Sequence, residues 1–346
     1  MHTKIFSFLL VFTLFSSNLH AQIQAVGDTM LGTNPTIANI LLSPVQNIFS
    51  QKGYINLINL EGVITNNSYS KKCTSGPHCY VFQMPDKIAE ILADNNIHIA
   101  NLANNHSMDL GSSGQSDTAK NLLKHGVAPV GMLQKYTEKI VKLNGREYVF
   151  IGVSPHKNTF SIFDKEGLNT LIKSHKQAER LVVVTAHMGA EGEKAYKVQD
   201  KEEIFLGSNR GNPIRIARNL IDSGADLFIG HGPHVMRPIE VYKDRLIVYS
   251  LGNFLTYGAF NLNGNSGLGG LIRIYMEDDG KFKEGKFFGF QQTKSTNNKV
   301  WLKGIALEKS MQAQNFLQKL TDIHQAGKFK WDEDGKFYLV KNKPSP

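Results

Sequence analysis

The stretch "ADLFIGHGPHVMRP", residues 225–238, places two histidines three residues apart on a segment that is unsuited to a helix. Pro233 has no amide hydrogen and disfavours helical dihedrals in the residue before it, so His231 and His234 are predicted on a turn. The apolar run at residues 227–229 predicts a short buried strand before that turn. Because ligands of open α/β sheets bind just beyond the carboxyl ends of strands, both imidazoles are candidate metal ligands or catalytic groups. An ordinary polar loop is the alternative.

Outward from this stretch, strand-like apolar runs alternate with helical patterns. The runs are "IQAV", "YINLIN", "IHIANL", "EYVFIGV", "RLVVVTA", "ADLFIG" and "RLIVYSL". Residues 86–95, 115–124 and 213–221 carry apolar side chains at helical spacing and predict helices over the sheet faces. From residue 267, two alternating runs around an Asp-Asp-Gly turn predict an antiparallel hairpin, and residues 310–326 predict an amphipathic helix. The fold class is therefore α/β with a second, partly antiparallel layer.

The N-terminal segment "MHTKIFSFLLVFTLFSSNLHA", residues 1–21, resembles a secretory signal peptide. Its apolar run is shorter than the roughly 18 residues of a membrane span. Residues 22–346 are expected to form one exported domain, periplasmic or extracellular, with an uncleaved N-terminal anchor as the alternative. Core motifs are expected at 25–257, and a C-terminal hairpin and helix at 267–327.

The two cysteines and the net charge bear on two questions: whether a disulfide forms, and which kind of ligand the protein binds. Cys73 and Cys79 share one loop, and export predicts a local disulfide, with free thiols or a metal site as alternatives. The formal charge of +9 is spread along the chain, which argues against a dedicated nucleic-acid surface. It favours anionic ligands such as phosphates or polyglutamate, although a generally basic exported protein explains it equally well.

Polar side chains that follow the apolar runs cluster where the predicted strands end. They are Asp28, Glu61, Asn104, Asn105, His106, Asp109, His187, Glu191, His231, His234 and Asn253. Each alone has a routine explanation, such as a helix cap, a solvated turn or a buried imidazole. Because neighbouring strands lie roughly 4.8 Å apart, however, their ends can bring these side chains to one centre. Carboxylate and imidazole without thiolate suit zinc, manganese or iron at a hydrolytic site.

The order of these motifs resembles the CapA family of poly-γ-glutamate capsule biosynthesis proteins, within the calcineurin-like metallophosphatase superfamily. The motifs are "GDTMLG" at Gly27, "NLEGVIT" at Asn59, "NLANNHSMDLG" at Asn101, "AHMGAE" at Ala186, "GADLFIGHGPHV" at Gly224 and "YSLGNFL" at Tyr249. The resemblance implies a four-layer α/β/β/α sandwich of metallophosphatase type with a metal site at the sheet edge. It also implies a role in capsule or cell-envelope polymer biosynthesis.

The resemblance further implies one or two divalent metal ions and assigns roles to the strand-end residues. One ion would be held by Glu61, Asn105, His187 and His231, and the other by Asp28, Glu61 and His234. A bridging Glu61 would keep two ions about 3.5–4 Å apart. His106 would protonate the leaving group, and Asp109 would orient His106. The supporting residues would be Asn104, Glu191, Tyr249 and Asn253.

Three positions depart from the related patterns. Met30 stands where general metallophosphatases carry the histidine of Asp-x-His, and Glu61 replaces their bridging aspartate. Met188 replaces a tryptophan common in the CapA family, which is expected to alter packing or substrate contacts. These departures do not weaken the resemblance to the CapA family, but they weaken the expectation that the chain has phosphatase activity.

Two functions are therefore compared. The first is an exported metal-dependent hydrolase that acts on a phosphoester or on an amide of a cell-surface polymer. The alternative is a non-catalytic accessory protein that binds an anionic polymer during its synthesis or export, in a complex at the membrane. A nucleic-acid binder has little support, because the sequence shows no basic stripe interleaved with aromatic residues.

Overall fold

The computed structural model describes residues 21–75, 79–256, 260–294, 300–303, 311–325 and 328–340. Residues 1–20 of the predicted signal peptide lie outside these ranges. Among the residues that are described, no helix is long and apolar enough to cross a membrane.

The described residues form six α-helices and twenty β-strands. The helices are α1 (Pro35–Phe49), α2 (Lys87–Asp94), α3 (Gly111–Lys124), α4 (Lys165–Gln177), α5 (Pro213–Asp222) and α6 (Met311–His324). The first ten strands are β1 (Ala21–Thr29), β2 (Ile55–Leu60), β3 (Val63–Ile64), β4 (Gln83–Met84), β5 (Ile99–Asn101), β6 (Ala128–Val130), β7 (Glu138–Leu143), β8 (Arg146–Val153), β9 (Leu181–His187) and β10 (Ile204–Phe205). The others are β11 (Ser208–Asn209), β12 (Leu227–His231), β13 (Ile239–Tyr242), β14 (Arg245–Val248), β15 (Asn253–Phe254), β16 (Leu268–Met276), β17 (Phe282–Lys294), β18 (Val300–Lys303), β19 (Phe329–Trp331) and β20 (Lys336–Leu339).

Two large sheets form the centre of the molecule. The first has the strand order β19-β20-β17-β16-β1-β2-β5-β6, with β15 also paired to β1 and β18 to β17. The second has the order β13-β14-β12-β9-β8-β7. Strands β1, β2, β5 and β6 run parallel, as do β8, β9, β12 and β14. The predicted hairpin is confirmed as β16 and β17, which continue the first sheet, with β16 antiparallel to β1 and β17 antiparallel to β16.

Three apolar clusters show that the sheets and helices form four layers. The largest lies between the two sheets and includes Ile23 and Leu57 from the first sheet and Val183 and Ile229 from the second. A second cluster packs α1, α2 and α3 on the outer face of the first sheet, and a third packs α4 and α5 on the outer face of the second. The predicted α/β/β/α sandwich is therefore confirmed.

The seven predicted strands are confirmed as β1, β2, β5, β8, β9, β12 and β14. The central strands are buried on both faces, as in β9, where all seven residues are buried. The predicted helices at residues 86–95, 213–221 and 310–326 correspond to α2, α5 and α6. The helix predicted at residues 115–124 starts four residues earlier, at Gly111, and α1 and α4 were not predicted.

At the site, the backbone at the end of β1 approaches the segment around Gly252 closely. The Asp28 amide donates to the Gly252 carbonyl at 2.9 Å, and β1 pairs with β15 at this point. A Cβ atom on Gly27 would lie 1.8 Å from the Gly252 carbonyl oxygen, so only glycine permits the contact. This approach places Asp28 next to Asn253 in register.

The loop before β4 is cross-linked. Cys73 and Cys79 form a disulfide with their Cα atoms 5.8 Å apart, so the predicted disulfide is confirmed over free thiols or a metal site.

Candidate metal centre

A compact group of carboxylates and imidazoles lies where the carboxyl ends of the two sheets meet. Ligand atoms of Asp28, Glu61 and His187 lie within 4.8 Å of one another, and all three residues are buried. Glu61 Oε1 is central, at 3.6 Å from both His187 Nε2 and His234 Nε2. Both carboxylates come from the first sheet, on β1 and just after β2, and the imidazoles come from the second.

The end of β12 and the turn after it add two further histidines, His231 and His234, to this group. His231 ends the strand beside His187 in register, and its Nδ1 lies 3.9 Å from Asp28 Oδ1. Gly232 has φ 109° and donates its amide to Asp28 Oδ2 at 3.1 Å. His234 has φ 57°, and its Nδ1 lies 3.1 Å from the same oxygen. The predicted turn is confirmed, and it directs both imidazoles to one carboxylate.

Several donor atoms in this group are buried without a hydrogen-bond partner among the described residues. They are both carboxylate oxygens of Glu61, both ring nitrogens of His187 and of His231, and Oδ1 of Asn105. Buried polar atoms are normally satisfied because desolvation is costly. Carboxylate, imidazole and amide oxygen are a donor set for a divalent metal, so the residues fit the predicted ion. The division of ligands between two ions stays a prediction.

The protonation states follow from burial and from the neighbouring charges. Burial lowers the pKa of His187 and of His231 to about 4, which leaves both rings neutral, the form that binds a metal. Burial raises the pKa of Glu61. Burial also raises the pKa of Asp28, but the hydrogen bond and charge of His234 outweigh it and hold that pKa well below its usual range. Burial lowers the pKa of His234, but the Glu61 and Asp28 carboxylates raise it to about 10.

A chain of buried amides holds the first carboxylate. Asn59 Nδ2 donates to Asp28 Oδ1 at 2.8 Å, and Asn101 Nδ2 donates to Asn59 Oδ1 at 3.0 Å. Asn104 Nδ2 lies 3.3 Å from the same Asn59 oxygen, while its own Oδ1 accepts the His106 amide at 3.0 Å. Asn104 therefore lies where it was predicted, but Asn59 was missed. Its position two residues before Glu61, on the same face of an extended strand, was the available signal.

His106 is oriented from three sides. Its Nδ1 lies 2.8 Å from Asp109 Oδ2, which confirms the predicted contact, and its Nε2 lies 3.8 Å from Glu61 Oε1. The Phe82 ring stacks on the imidazole with centroids 4.0 Å apart, and the Phe82 amide donates to Asp109 Oδ2 at 2.6 Å. Lys72 Nζ lies 2.6 Å from Asp109 Oδ1. The ring is thus fixed with Nε2 facing the carboxylate cluster.

Two of the three remaining predicted supports, Asn253 and Tyr249, behave differently. Asn253 Oδ1 lies 3.0 Å from His234 Nδ1, and its Nδ2 donates to the His234 carbonyl at 3.2 Å. This contact leaves His234 Nε2 directed at Glu61. The prediction for Tyr249 is wrong, because its hydroxyl donates to Glu240 Oε2 at 2.5 Å and its ring packs in the cluster against α4 and α5. The side chain lies on the outer face of the second sheet, away from the cluster.

A second wall of the site contains two residues that the sequence analysis did not select. Glu191 Oε2 lies 3.7 Å from His234 Nε2, and Glu191 Oε1 pairs with Arg210 Nη1 at 3.0 Å. The same guanidinium nitrogen lies 3.1 Å from His156 Nε2, and the His156 and His187 ring centroids are 5.6 Å apart. Arg210 follows a two-residue strand without any local pattern. His156 follows β8 by three residues, as His234 follows β12, and that spacing was a usable signal.

The departures at Met30 and Met188 are explained by packing. Met30 forms a small apolar cluster with Phe82 and Phe260, and the Phe260 ring lies 5.0 Å from the His234 ring. The side chain that replaces a histidine therefore belongs to an apolar wall beside the site. Met188 is buried in the core against α4 and α5, so its role is packing.

The chain is thus a four-layer α/β/β/α protein with Asp, Glu, Asn and His side chains gathered at the carboxyl ends of its sheets, where ligand sites of α/β proteins lie. Residues 22–257 match the model of the family described as bacterial capsule synthesis protein PGA_cap, and the chain belongs to that family. The predicted resemblance is confirmed.

The chain is similar to two curated capsule proteins. PGA biosynthesis protein CapA of Bacillus subtilis (strain 168) is 31% identical over 251 residues, which are 66% of this chain and 62% of that protein. Capsule biosynthesis protein CapA of Bacillus anthracis is 27% identical over 292 residues, 74% of this chain and 64% of that protein. The chain thus spans less than two thirds of either relative. A 5′-nucleotidase precursor from Thermus thermophilus superposes with a TM-score of 0.48 at 14% identity, over 89% of this chain and 59% of that structure.

Proposed function

We propose that the protein is an exported, metal-dependent hydrolase of poly-γ-glutamate capsule or cell-envelope polymer biosynthesis, acting on a phosphoester or an amide bond. One observation carries the proposal. Buried, unpartnered atoms of Glu61, His187 and His231 belong to one cluster, and Glu61 Oε1 lies 3.8 Å from Nε2 of His106, whose ring is held by Asp109. The names of the two Bacillus relatives support the capsule context.

Zinc, manganese or iron, as one or two ions, would be held by Asp28, Glu61, Asn105, His187, His231 and His234. Such ions supply positive charge to substrate oxygens and lower the pKa of water. In the hydrolysis, the oxygen of water bonds to phosphorus or to the carbonyl carbon, and the bond to the leaving atom breaks. His106 Nε2 gives its proton to that atom while Asp109 stabilises the protonated ring, and the attacking water releases one proton to the solvent. The Phe82 ring stacked on His106 excludes water from that face.

The partner that fits the charge of the chain is an anionic polymer. The formal charge of +9 favours association with a polycarboxylate, and a capsule synthesis or export complex at the membrane is the proposed setting. In this setting the alternative function, polymer binding without catalysis, predicts association that weakens with salt and persists without His106.

The test is metal content measured by elemental analysis on protein purified without chelator. We expect near-stoichiometric transition metal in the wild type and little in a His187→Ala/His231→Ala double variant. His125→Ala, which removes a histidine at the end of α3, is the matched control and should retain metal. Turnover of bis(p-nitrophenyl) phosphate and of γ-glutamyl-p-nitroanilide is then measured with His106→Asn, which should keep metal and lose activity. Wild-type protein that holds no metal even after reconstitution would contradict the proposal and favour the accessory role.

A further inference from the structure

We infer that His156, which lies outside the carboxylate–imidazole cluster, is a substrate-binding residue that donates its Nδ1–H to an oxygen of the scissile phosphoryl or carbonyl group. The inference rests on the proposed function and deepens it. It follows from the hydrogen bonding of the imidazole and from its position beside the site.

The tautomer of His156 is determined by its arginine partner. Arg210 Nη1 lies 3.1 Å from His156 Nε2. A guanidinium has donors only and is always charged, so Nε2 must be the acceptor in this contact. An imidazole that accepts at Nε2 is neutral and carries its hydrogen on Nδ1.

Another histidine–arginine contact in the same chain shows what is unusual here. Arg180 Nη1 lies 3.3 Å from His175 Nδ1, and His175 Nε2 lies 2.8 Å from Glu138 Oε2. Both ring nitrogens of His175 therefore have partners, as expected for a structural imidazole. His156 differs: its Nε2 is paired with Arg210, but its Nδ1 makes no hydrogen bond with any residue in the described ranges. Because the ring is partly exposed, Nδ1 is free to bind a ligand.

The surroundings of the ring place His156 beside the site. The His156 ring lies edge to face with His187, with centroids 5.6 Å apart. The loop that carries His156 contacts the loop of the predicted acid, because Asn158 Nδ2 lies 3.4 Å from Met108 Sδ. His156 therefore lies between the imidazole side of the cluster and the segment around His106.

Arg210 is itself held rigidly. Its side chain is 7% exposed, its Nη1 pairs with Glu191 Oε1 at 3.0 Å, and its guanidinium lies over the Phe205 ring at 5.4 Å. Because Glu191 and the Phe205 ring fix the planar guanidinium of Arg210, its N–H groups point in one direction. The His156 Nδ1–H is consequently an oriented, uncharged donor, of the kind that stabilises negative charge developing on an oxygen.

Two amide variants separate the two nitrogens. His156→Gln can place its carbonyl oxygen near the position of Nε2 and keep an acceptor for Arg210, but it has no donor at the position of Nδ1. His156→Asn can place its amide nitrogen near Nδ1 and leaves Arg210 without that acceptor. We expect kcat to fall at least about tenfold in His156→Gln, and His156→Asn to retain several-fold more activity than the Gln variant. Metal content should match the wild type in both.

Both hydrolytic substrates named above are used, so that the phosphoryl and carbonyl arms are distinguished. Isothermal calorimetry with inorganic phosphate gives a readout that needs no turnover, and we expect the Kd to rise about tenfold in His156→Gln and less in His156→Asn. If His156→Asn had the lower kcat and the weaker phosphate binding, the contact with Arg210 would be what matters, and the inference would be overturned. Equal kcat and equal Kd in the two variants would also overturn it, because the Nδ1 position would then have no separate effect.

The tautomer is tested directly by NMR of protein labelled with ¹⁵N-histidine, with the signal assigned through its loss in His156→Gln. We expect the neutral Nδ1–H form for His156 and an Nε2–H for His175, the internal reference. An Nε2–H on His156 would overturn the inference whatever the enzyme activity. Conversely, wild-type protein without metal and without turnover would contradict the proposed function. The His156 tautomer and the phosphate affinity could still be measured in that case, so the failure of the proposed function is distinguishable from the failure of the inference.

Discussion

At the scale of single residues, the orientation of His106 depends on one carboxylate with several partners. Asp109 Oδ2 contacts both the His106 ring and the Phe82 amide, while Oδ1 pairs with Lys72. In Asp109→Asn the amide can still occupy this space but carries no charge to stabilise a protonated ring. We expect kcat to fall by about 10²-fold with metal content unchanged. Asp117→Asn, whose carboxylate accepts from Tyr69 and not from His106, is the control and should keep near wild-type turnover.

A substitution at Gly232 tests whether the conformation of the turn between His231 and His234 is needed for metal binding. Gly232 has φ 109°, and an added Cβ would lie 3.0 Å from Cε1 of the His187 ring. Gly232→Ala should therefore lower stability through backbone strain, by about 1 kcal/mol, and also displace His187 and reduce metal content severalfold. Gly53→Ala is the matched control, because Gly53 has φ 86° but nothing within 4 Å of its Cβ position. Equal metal content in the two variants would contradict this reading of the turn.

The candidate ligands could be predicted from single residues because carboxylates and imidazoles are conspicuous after apolar runs. Arg210 could not be recognised in the same way, because its role depends on contacts across the fold with Glu191 and His156, and no local pattern encodes them. Asn59 was missed although its position two residues before Glu61 was a usable signal.

At the scale of elements, the Cys73–Cys79 disulfide links the two sides of the segment that holds His106. Lys72 precedes the first cysteine and Phe82 follows the second, and both contact Asp109. A Cys73→Ser/Cys79→Ser variant should lose about 2 kcal/mol of stability, as expected for a short closed loop. It should also lower kcat more than it lowers metal content. Unchanged kcat in this variant, measured under conditions where it is fully folded, would show that the link does not support His106.

Helix α6 is attached to the edge strand β13 through a buried carboxylate. Burial raises the pKa of Glu240, but hydrogen bonds from His324, Tyr249 and Arg218 outweigh it and lower the pKa from 4.5 to about 2. Because the pKa is lower in the folded state, the stabilisation is present above about pH 4.5 and is lost as the pH falls toward 2.

Glu240→Gln should therefore reduce the free energy of unfolding by about 2–3 kcal/mol at pH 7, and the difference from wild type should shrink between pH 4.5 and 2. Urea unfolding at several pH values measures it. Glu147→Gln, which removes the exposed partner of Arg180, is the control and should cost less than about 1 kcal/mol. A difference that is constant with pH would exclude the charge of Glu240 as its origin.

Helix α1 shows why some elements escaped the sequence analysis. Pro44 lies inside it and has no amide to reach the Ile40 carbonyl. Ser43 Oγ donates to that carbonyl at 2.8 Å and replaces the missing bond, while Asn34 Oδ1 caps the first turn. A proline that normally ends a helix is tolerated here through a side-chain contact that periodicity does not reveal.

At the scale of the whole molecule, the alternation of apolar runs and helices predicted the α/β class with a second, partly antiparallel layer, and the family resemblance implied the four layers. The order of the strands could not be predicted, because it depends on pairings between distant segments. Strand β16 pairs with β1 although most of the chain separates the partners, for example Gln24 from Arg273. Only the hydrophobic faces are encoded locally, and the choice of neighbour is made by packing in the core between the sheets.

The candidate metal site lies between the two sheets, and a bound ion should tie the two halves of the sandwich together. Asp28 and Glu61 belong to the first sheet, and His187 and His231 to the second. A ligand that binds only the folded state adds about 2.7 kcal/mol of stability at a concentration about one hundred times its Kd. Removal of metal should therefore lower the Tm of the wild type by several degrees, and re-addition should restore it. The His187→Ala/His231→Ala variant should show a Tm that does not respond to chelator. If its Tm fell with chelator as far as that of the wild type, the stabilising ion would have to lie elsewhere in the protein, and the joining of the two sheets through this cluster would be excluded.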